Sequence, residues 1–118
     1  MHTSFRNLTK HPLDVITSNG ERITIPPSGY VARSNSARRS HGEINGIPIC
    51  NIVYGKIRMP EEQPNVGLIV SAIVANELIR NGVVRNDLYS PDQVVRDHKT
   101  GEVLGCKGLI KWQHRLRL

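Results

Sequence analysis

Aromatic residues are scarce in this chain, which has one Phe, one Trp and three Tyr among 118 residues. Apolar residues make up 38% of the sequence, and no apolar run approaches the roughly 18 residues that a bilayer-spanning helix needs. No apolar segment of a signal peptide occurs in the first residues, MHTSFRNLTKHPLD. We therefore expect no membrane association and a core built mainly from Ile, Val and Leu.

Motifs of metal sites and enzymes are also missing. The only cysteines, Cys50 and Cys106, stand in no CxxC or Cys/His spacing, and the five histidines form no HxH or HExxH pattern. Neither a GxxxxGK[ST] or GxGxxG loop nor a GxSxG elbow is present. The sequence predicts no metal, no cofactor and no enzymatic activity, and it favours two buried free thiols in a reducing cytoplasm while leaving a disulfide open.

The length predicts a single domain over residues 1–118, with residues 1–4 as a flexible start and residues 110–118 as a basic tail. A core this small gains stability by association, so we expect a homo-oligomer. The net charge of +6 is uneven, because residues 1–59 hold eight Lys and Arg against three acids. This excess favours an anionic partner.

Turn signals divide the first half of the chain into short strands. Asn-Gly pairs at 19–20 and 45–46 suit hairpin turns, and PPSG at 26–29 marks another turn. The pattern predicts strands at residues 13–16, 22–25, 30–33 and 47–54. Residues 34–42 are predicted as a polar loop.

One helix is predicted, with Ser71 as its N-cap and Asn81-Gly82 at its end. Its apolar face is expected to comprise Ile73, Val74, Leu78 and Ile79. The polar stretch from Arg85 is predicted as a loop, and a last hairpin is expected around residues 97–101. The predicted fold class is α+β, a mainly antiparallel β domain with one principal α-helix.

Two arginines stand beside predicted turns, where a ligand can contact them. Arg33 follows the PPSG turn, and Arg96 stands in VVRD at the mouth of the last hairpin. A guanidinium group grips phosphate oxygens in pairs. The residues alone leave alternatives open, since Asp97 could pair with Arg96 and Ser71 could serve only as a helix cap.

Nucleic acid is the competing partner. The segment after Cys106 contains no acid, and its Trp112 offers a ring that stacks on bases. However, the chain shows no recognition helix, zinc finger or pair of RNA-binding aromatic residues. A small basic DNA- or RNA-binding phage protein is therefore the alternative, ranked behind a small-ligand binder. A structural virion protein is a further alternative.

Short motifs along the chain carry a resemblance to one family. They are NLTKH at 7–11, PPSG with Ala32-Arg33, INGIP at 44–48, IVSAIVA at 69–75, RNDLYSP at 85–91, VRD at 95–97 and GEVLGCKGL at 101–109. Together they resemble the phage anti-Thoeris proteins that sequester cyclic ADP-ribose signals. The resemblance covers residues 5 to 109.

The resemblance implies a function in the host bacterial cytoplasm. Such proteins bind glycocyclic ADP-ribose made by a TIR-domain enzyme without cleaving it, so that the downstream NADase effector stays inactive. It also implies dimers that assemble into hexamers, and in some members separate sites for cyclic di- or trinucleotides.

Carried onto this sequence, the resemblance implies ligand contacts at Arg33, Ser71, Asn86, Asp87 and Arg96, with Lys107 as a further phosphate contact. Two segments depart from the family pattern, namely the basic SARRSHG at 36–42 and the WQHRLRL extension at 112–118. Sequestration requires tight binding, and a nanomolar dissociation constant corresponds to about −12 kcal/mol. We therefore expect an enclosed pocket between subunits.

Overall fold

A computed structural model describes residues 2–113 of the chain. The elements are β1 (Ser4–Asn7), β2 (Leu13–Ile16), β3 (Arg22–Ile25), β4 (Ser36–Ile44), β5 (Ile47–Tyr54), β6 (Val66–Ile69), α1 (Ala72–Arg80), β7 (Leu88–Asp92), β8 (Val95–Arg96), β9 (Val103–Gly105) and β10 (Gly108–Lys111). Antiparallel pairs join β2 to β3, β4 to β5, β7 to β10 and β8 to β9. The predicted α+β fold, mainly antiparallel with one principal helix, is confirmed.

The largest sheet is mixed, which the sequence analysis did not predict. Its strand order is β1-β6-β7-β10, and the two pairings among the first three strands are parallel. β6, α1 and β7 form a β-α-β unit, in which a helix carries the chain back so that the next strand runs parallel. The carboxyl ends of β1, β6 and β7 therefore lie along one edge of this sheet.

The predicted helix is confirmed at both ends. The Ser71 hydroxyl accepts a hydrogen bond from the Val74 amide at 3.2 Å, as an N-cap does. At the other end, Gly82 has a φ of +77°, and the Val83 amide donates to the Leu78 carbonyl at 3.0 Å. These two features form a Schellman motif, which satisfies carbonyl groups of the last turn.

The helix packs on one face of the mixed sheet. Val74, Ala75 and Leu78 are buried there together with Leu68 and Leu88. Ile73, predicted on the same apolar face, is 73% exposed. The prediction for this residue is wrong because its position turns it away from the sheet at the amino end of the helix.

The opposite face of the mixed sheet packs against the β2–β3 hairpin. Ile69, Leu13, Val15 and Cys106 form this second, smaller cluster of buried residues. Both cysteines are free thiols, as the favoured prediction has it, but only Cys106 is buried. The predicted burial of Cys50 is wrong, because Cys50 lies on the exposed strand β5.

Gly67 lies farther along this second face, beneath two aromatic rings. A Cβ atom on Gly67 would come within 2.7 Å of the Tyr89 ring and 2.8 Å of the Phe5 ring. The two rings contact each other edge to face, with centroids 5.0 Å apart. Any side chain at position 67 would displace this aromatic pair.

Three loop and strand predictions are wrong. Residues 30–33 form no strand, because the backbone there is held by other contacts, including a hydrogen bond from the Ala32 amide to the Leu8 carbonyl. The stretch from Arg85 contains β7 rather than only a loop, and Leu88 and Ser90 in it are fully buried. Residues 36–42 form most of β4, since they pair with β5 across the Asn45-Gly46 turn.

The β4–β5 hairpin, called the arm below, makes an isolated two-stranded sheet. Every residue of both strands is exposed except Ile49, which is half-buried. The longest dimension of the molecule is 59 Å and its radius of gyration is 17.2 Å, against about 13 Å for a compact 100-residue domain. The arm thus stands outside the body, which comprises the mixed sheet, α1 and the β2–β3 and β8–β9 hairpins.

The predicted terminal segments are described only in part. Ser4 belongs to β1, and Ile110 and Lys111 belong to β10. Residues 114–118 of the predicted tail lie outside the described residues. Within residues 2–113, no helix has the length and apolar character required to cross a membrane.

Candidate functional site

A cleft of about 370 Å³ opens at the carboxyl ends of the three parallel strands. Thr9 follows β1, Ser71 follows β6 and Pro91 lies near the end of β7, and all three line the cleft. In open sheets with parallel strands, ligands bind in the crevice outside the carboxyl ends of the strands. The volume falls within the range of about 300–1,000 Å³ that is typical of small-ligand sites.

The amino end of α1 forms one wall of the cleft. Ser71, Ala72 and Ile73 line it. Helix geometry leaves the amides of the first turn without intrahelical acceptors, and Ser71 satisfies the amide of Val74. The remaining amides and the helix dipole favour an anion at this wall.

Arg96, at the end of β8, also lines the cleft. Its Nη1 donates to the Gly101 carbonyl at 2.9 Å, which ties the side chain to the β8–β9 turn. The remaining N–H groups of the guanidinium are available to a ligand in the cleft. Arg96 therefore adds a permanent positive charge to the cleft.

The turn that holds Arg96 is organised by Asp97. The Asp97 carboxylate accepts hydrogen bonds from the amides of Lys99 at 2.8 Å and Thr100 at 3.0 Å. Hydrogen bonds from Thr100 and then Lys99 hold the pKa of Asp97 below its usual range. Asp97 thus bonds to its own turn, and among residues 2–113 the structure shows no ion pair between Asp97 and Arg96.

The cleft is also lined by polar groups that do not belong to α1 or β8. Thr9 and His11 come from the loop after β1, and Glu102 comes from the turn before β9. A carboxylate and a hydroxyl suit the hydroxyl groups of a sugar, since they accept or exchange hydrogen bonds. The rest of the lining is largely apolar, with Pro12, Leu13, Ile73, Pro91, Val94 and Val103.

The structure brings two of the six predicted ligand contacts together. Ser71 and Arg96 both line the cleft. Arg33 and Lys107 are exposed but are not part of its lining, and Asn86 is exposed at the opposite, amino end of β7. The Asn86 amide donates to the Glu62 carboxylate at 3.1 Å. Ligand roles for Arg33, Asn86 and Lys107 stay predictions.

Asp87 is fully buried beside β7, also away from the cleft. Arg85 donates to both of its carboxylate oxygens, at 2.9 Å and 2.8 Å. This hydrogen-bonded pairing raises the pKa of Arg85. In this structure Asp87 anchors the chain before β7, and a ligand role for it also stays a prediction.

Three residues of the cleft were not predicted from the sequence, namely Thr9, His11 and Glu102. A signal for them existed, since an apolar run ending in Ser71 before a helix is typical of the first half of a β-α-β unit. Such a unit would have directed attention to the carboxyl ends of its strands. Arg85 was also missed, and its i, i+2 spacing to Asp87 carries no signal of a buried pair.

Among residues 2–113, no group of three or more His, Cys, Asp or Glu side chains is arranged to hold a metal ion. The chain matches no protein-family model, no curated protein and no solved structure. The functional assignment therefore depends on the chemistry of the cleft.

Proposed function

We propose that this protein is an anti-defence protein that binds a cyclic nucleotide immune signal in the cleft and sequesters it without cleaving it. The observation that carries the proposal is that Arg96 and the amino end of α1 line the same cleft, at the carboxyl ends of parallel strands. A phosphate or pyrophosphate suits both groups. The apolar lining offers a surface to a base.

Glycocyclic ADP-ribose is the proposed signal, with cyclic di- or trinucleotides as related ligands. The motif resemblance described above supports this choice, and the polar groups of the cleft suit its ribose hydroxyls. Sequestration in the host bacterial cytoplasm would block anti-phage signalling and allow the phage to evade host immunity.

Binding without cleavage agrees with the state of the Ser71 side chain. Its hydroxyl accepts from the Val74 amide and caps the helix. His11 and Glu102 line the same cleft as Ser71, but in the proposed role they contact the ligand and carry out no chemistry.

We further propose that the cleft is completed in a homo-oligomer, from a dimer up to a hexamer. Ile73 and Val84, near the two ends of α1, are 73% and 79% exposed. Burying these two side chains against a second copy would stabilise the oligomer by roughly 25 cal/mol per Å² of apolar surface removed from water. Because Ile73 also lines the cleft, a second copy over this face would enclose the ligand.

Calorimetric titration with glycocyclic ADP-ribose tests the proposal directly. We expect wild-type protein to bind tightly and to release intact ligand on heating, as measured by chromatography. Arg96→Ala should weaken binding by roughly 10- to 150-fold, since a hydrogen bond to a charged group is worth about 1.5–3 kcal/mol. Arg80→Ala is the matched control, because Arg80 is an exposed arginine outside the cleft.

Two results would contradict the proposal. Recovery of a hydrolysed ligand would make the protein an enzyme. Equal affinity of Arg96→Ala and Arg80→Ala would remove the cleft from the binding site. Absence of heat with glycocyclic ADP-ribose, together with tight binding of a cyclic trinucleotide, would replace the ligand and keep the function.

A further inference from the structure

The arm has no evident role in the cleft and has an unusual surface. An isolated two-stranded hairpin is marginally stable in water, yet this one carries long strands of nine and eight residues. Ile52, Val53 and Tyr54 on β5 are 51%, 44% and 59% exposed. We expect a binding partner to cover the exposed apolar side chains of this hairpin.

The charge of the arm indicates what kind of partner it meets. The arm itself holds Arg38 and Arg39 against Glu43 and so carries +1. Arg33, Lys56 and Arg58 flank it in the sequence, so residues 33–58 together carry +4 of the total +6. A second copy of the chain would bring the same positive charge. A polyanion is the complementary partner.

The strand register places the central arginines on opposite faces of the ribbon. Arg38 is opposite Ile52 and Arg39 is opposite Asn51. Because successive side chains of a strand point to opposite faces, Arg38 and Arg39 project to the two sides of the arm. A ribbon that stands on its edge in the groove of a nucleic-acid duplex turns one face to each phosphate backbone, and in that orientation the arm supplies one guanidinium to each.

The tip of the arm is apolar. Ile44 and Ile47 form a cross-strand pair and are 61% and 62% exposed, and Pro48 follows. Asn45 and Gly46 between them have φ angles of +53° and +78°, which makes the turn tight and narrow. Duplex-binding proteins use Ile and Pro as wedges that partly unstack a base step.

We infer that the arm is a second binding element, which enters a groove of duplex DNA through its arginines and wedges its apolar tip against a base step. With a rise of about 3.3 Å per residue, strands of this length span roughly 27 Å, or about eight base pairs. Binding is largely independent of sequence, because phosphates carry no sequence information.

Fluorescence anisotropy with a labelled 20-base-pair duplex of mixed sequence tests this inference. Replacing Arg38 and Arg39 by Gln should weaken binding roughly tenfold or more in low salt and reduce the slope of log K against log salt by about two. The matched control replaces the exposed Arg22 and Arg80 of the body by Gln, which removes the same charge. Glu43→Gln should tighten binding, since Glu43 is the one acid of the segment.

The tip is tested with 2-aminopurine placed at the centre of the same duplex. Wild-type protein should raise its fluorescence by unstacking the base, and the double variant Ile44→Ser with Ile47→Ser should not. Cys50 gives a native reporter, because it is exposed on the arm while Cys106 is buried. Added duplex should slow the alkylation of Cys50.

Two outcomes overturn the inference. Equal loss of affinity in the Arg38/Arg39 and Arg22/Arg80 variants would show that general charge, and not the arm, attracts the duplex. A Cys50 thiol that is unreactive without DNA, together with a lower molar mass of the tip variant in light scattering, would make the arm an interface between copies of the chain.

Discussion

The body and the arm are both built largely from β-strands with branched apolar residues, but they differ in what those residues contact. In β6 and β7, Leu68, Ile69 and Leu88 are at most 3% exposed. In the arm, Ile52 and Val53 are about half exposed. Branched apolar residues thus form strands in both regions, but the topology alone decides whether a strand is buried in a core.

Polar groups show the same contrast. The fully buried polar residues Asn7 and Ser90 of the body have protein partners: Asn7 donates to the carbonyls of His11 and Ile25, and Ser90 accepts from the Trp112 ring nitrogen. Among the described residues, the buried carboxylate oxygens of Glu77 are the exception, since they have no hydrogen-bond partner. The arm leaves its charged side chains to solvent. Buried polar residues thus specify how the body packs, whereas the charged residues of the arm stay hydrated.

Truncation of an apolar side chain should produce the largest difference in stability between the body and the arm. Leu88→Ala should lower the free energy of unfolding by roughly 2–5 kcal/mol, because it opens a cavity at a fully buried site. Ile52→Ala in the arm should lower it by less than about 0.5 kcal/mol, as is usual for exposed positions. Urea unfolding followed by circular dichroism measures both.

Similar losses in the two variants would show that the arm is buried in solution. Measuring the pair at two protein concentrations would then identify the cause. A concentration-dependent midpoint for Ile52→Ala would indicate association through the arm.

The next effect concerns buried charge. Asp87→Ala should destabilise the body by about 3 kcal/mol, because it removes the partner that binds Arg85 through two hydrogen bonds. Glu43→Ala in the arm is the matched loss of an acid from an exposed position and should be nearly neutral. The same urea titration compares the two, and equal midpoints would show that the Arg85–Asp87 pair adds nothing to stability.

A smaller effect is expected at the helix cap. Ser71→Ala should cost about 1 kcal/mol, since the Val74 amide loses its acceptor. Ser40→Ala on the arm removes an exposed hydroxyl and should change stability little. If Ser71→Ala weakens ligand binding more than it weakens folding, measured by calorimetry beside urea unfolding, the hydroxyl also contacts the ligand.

The smallest effect is a pH dependence at the β8–β9 turn. The pKa of Asp97 is lower in the folded protein, so its contribution is present above its unfolded pKa of about 4 and is lost as pH falls through the folded value. Asp97→Asn should therefore be less sensitive to acid than the wild type as the pH falls below about 4. Exchange of the Lys99 and Thr100 amides, followed by nuclear magnetic resonance, reports the opening of this turn.

Local turn and cap signals predicted much of the fold correctly. Ser71 and Gly82 gave the helix its ends, and Asn45-Gly46 gave the arm its turn. β7 was missed because the polar residues in and before it suggested a loop. Asp87 is buried against Arg85, a pairing that nothing in the sequence indicates, and Ser90 is buried against Trp112, which is 22 residues away. The burial of Asp87 and Ser90 could therefore not be predicted from the sequence.

The candidate site was predicted only in part for a related reason. Ser71 and Arg96 stand beside recognisable elements, a helix start and a hairpin. Thr9 and His11 join them only because β1 pairs in parallel with β6, a contact across about sixty residues. Such pairings depend on the whole topology, and a single sequence does not reveal them.

The parallel pairing of β1 with β6 also has a consequence for how the chain folds. Ser4 is opposite Val66, so the first strand must wait for a neighbour that is synthesised much later. The arm closes through a local turn, and hairpins form in about 1–10 µs. Non-local parallel pairing is slower. During synthesis, we expect the β2–β3 hairpin and then the arm to be the first elements that emerge complete, and the cleft at the ends of β1, β6 and β7 to be among the last.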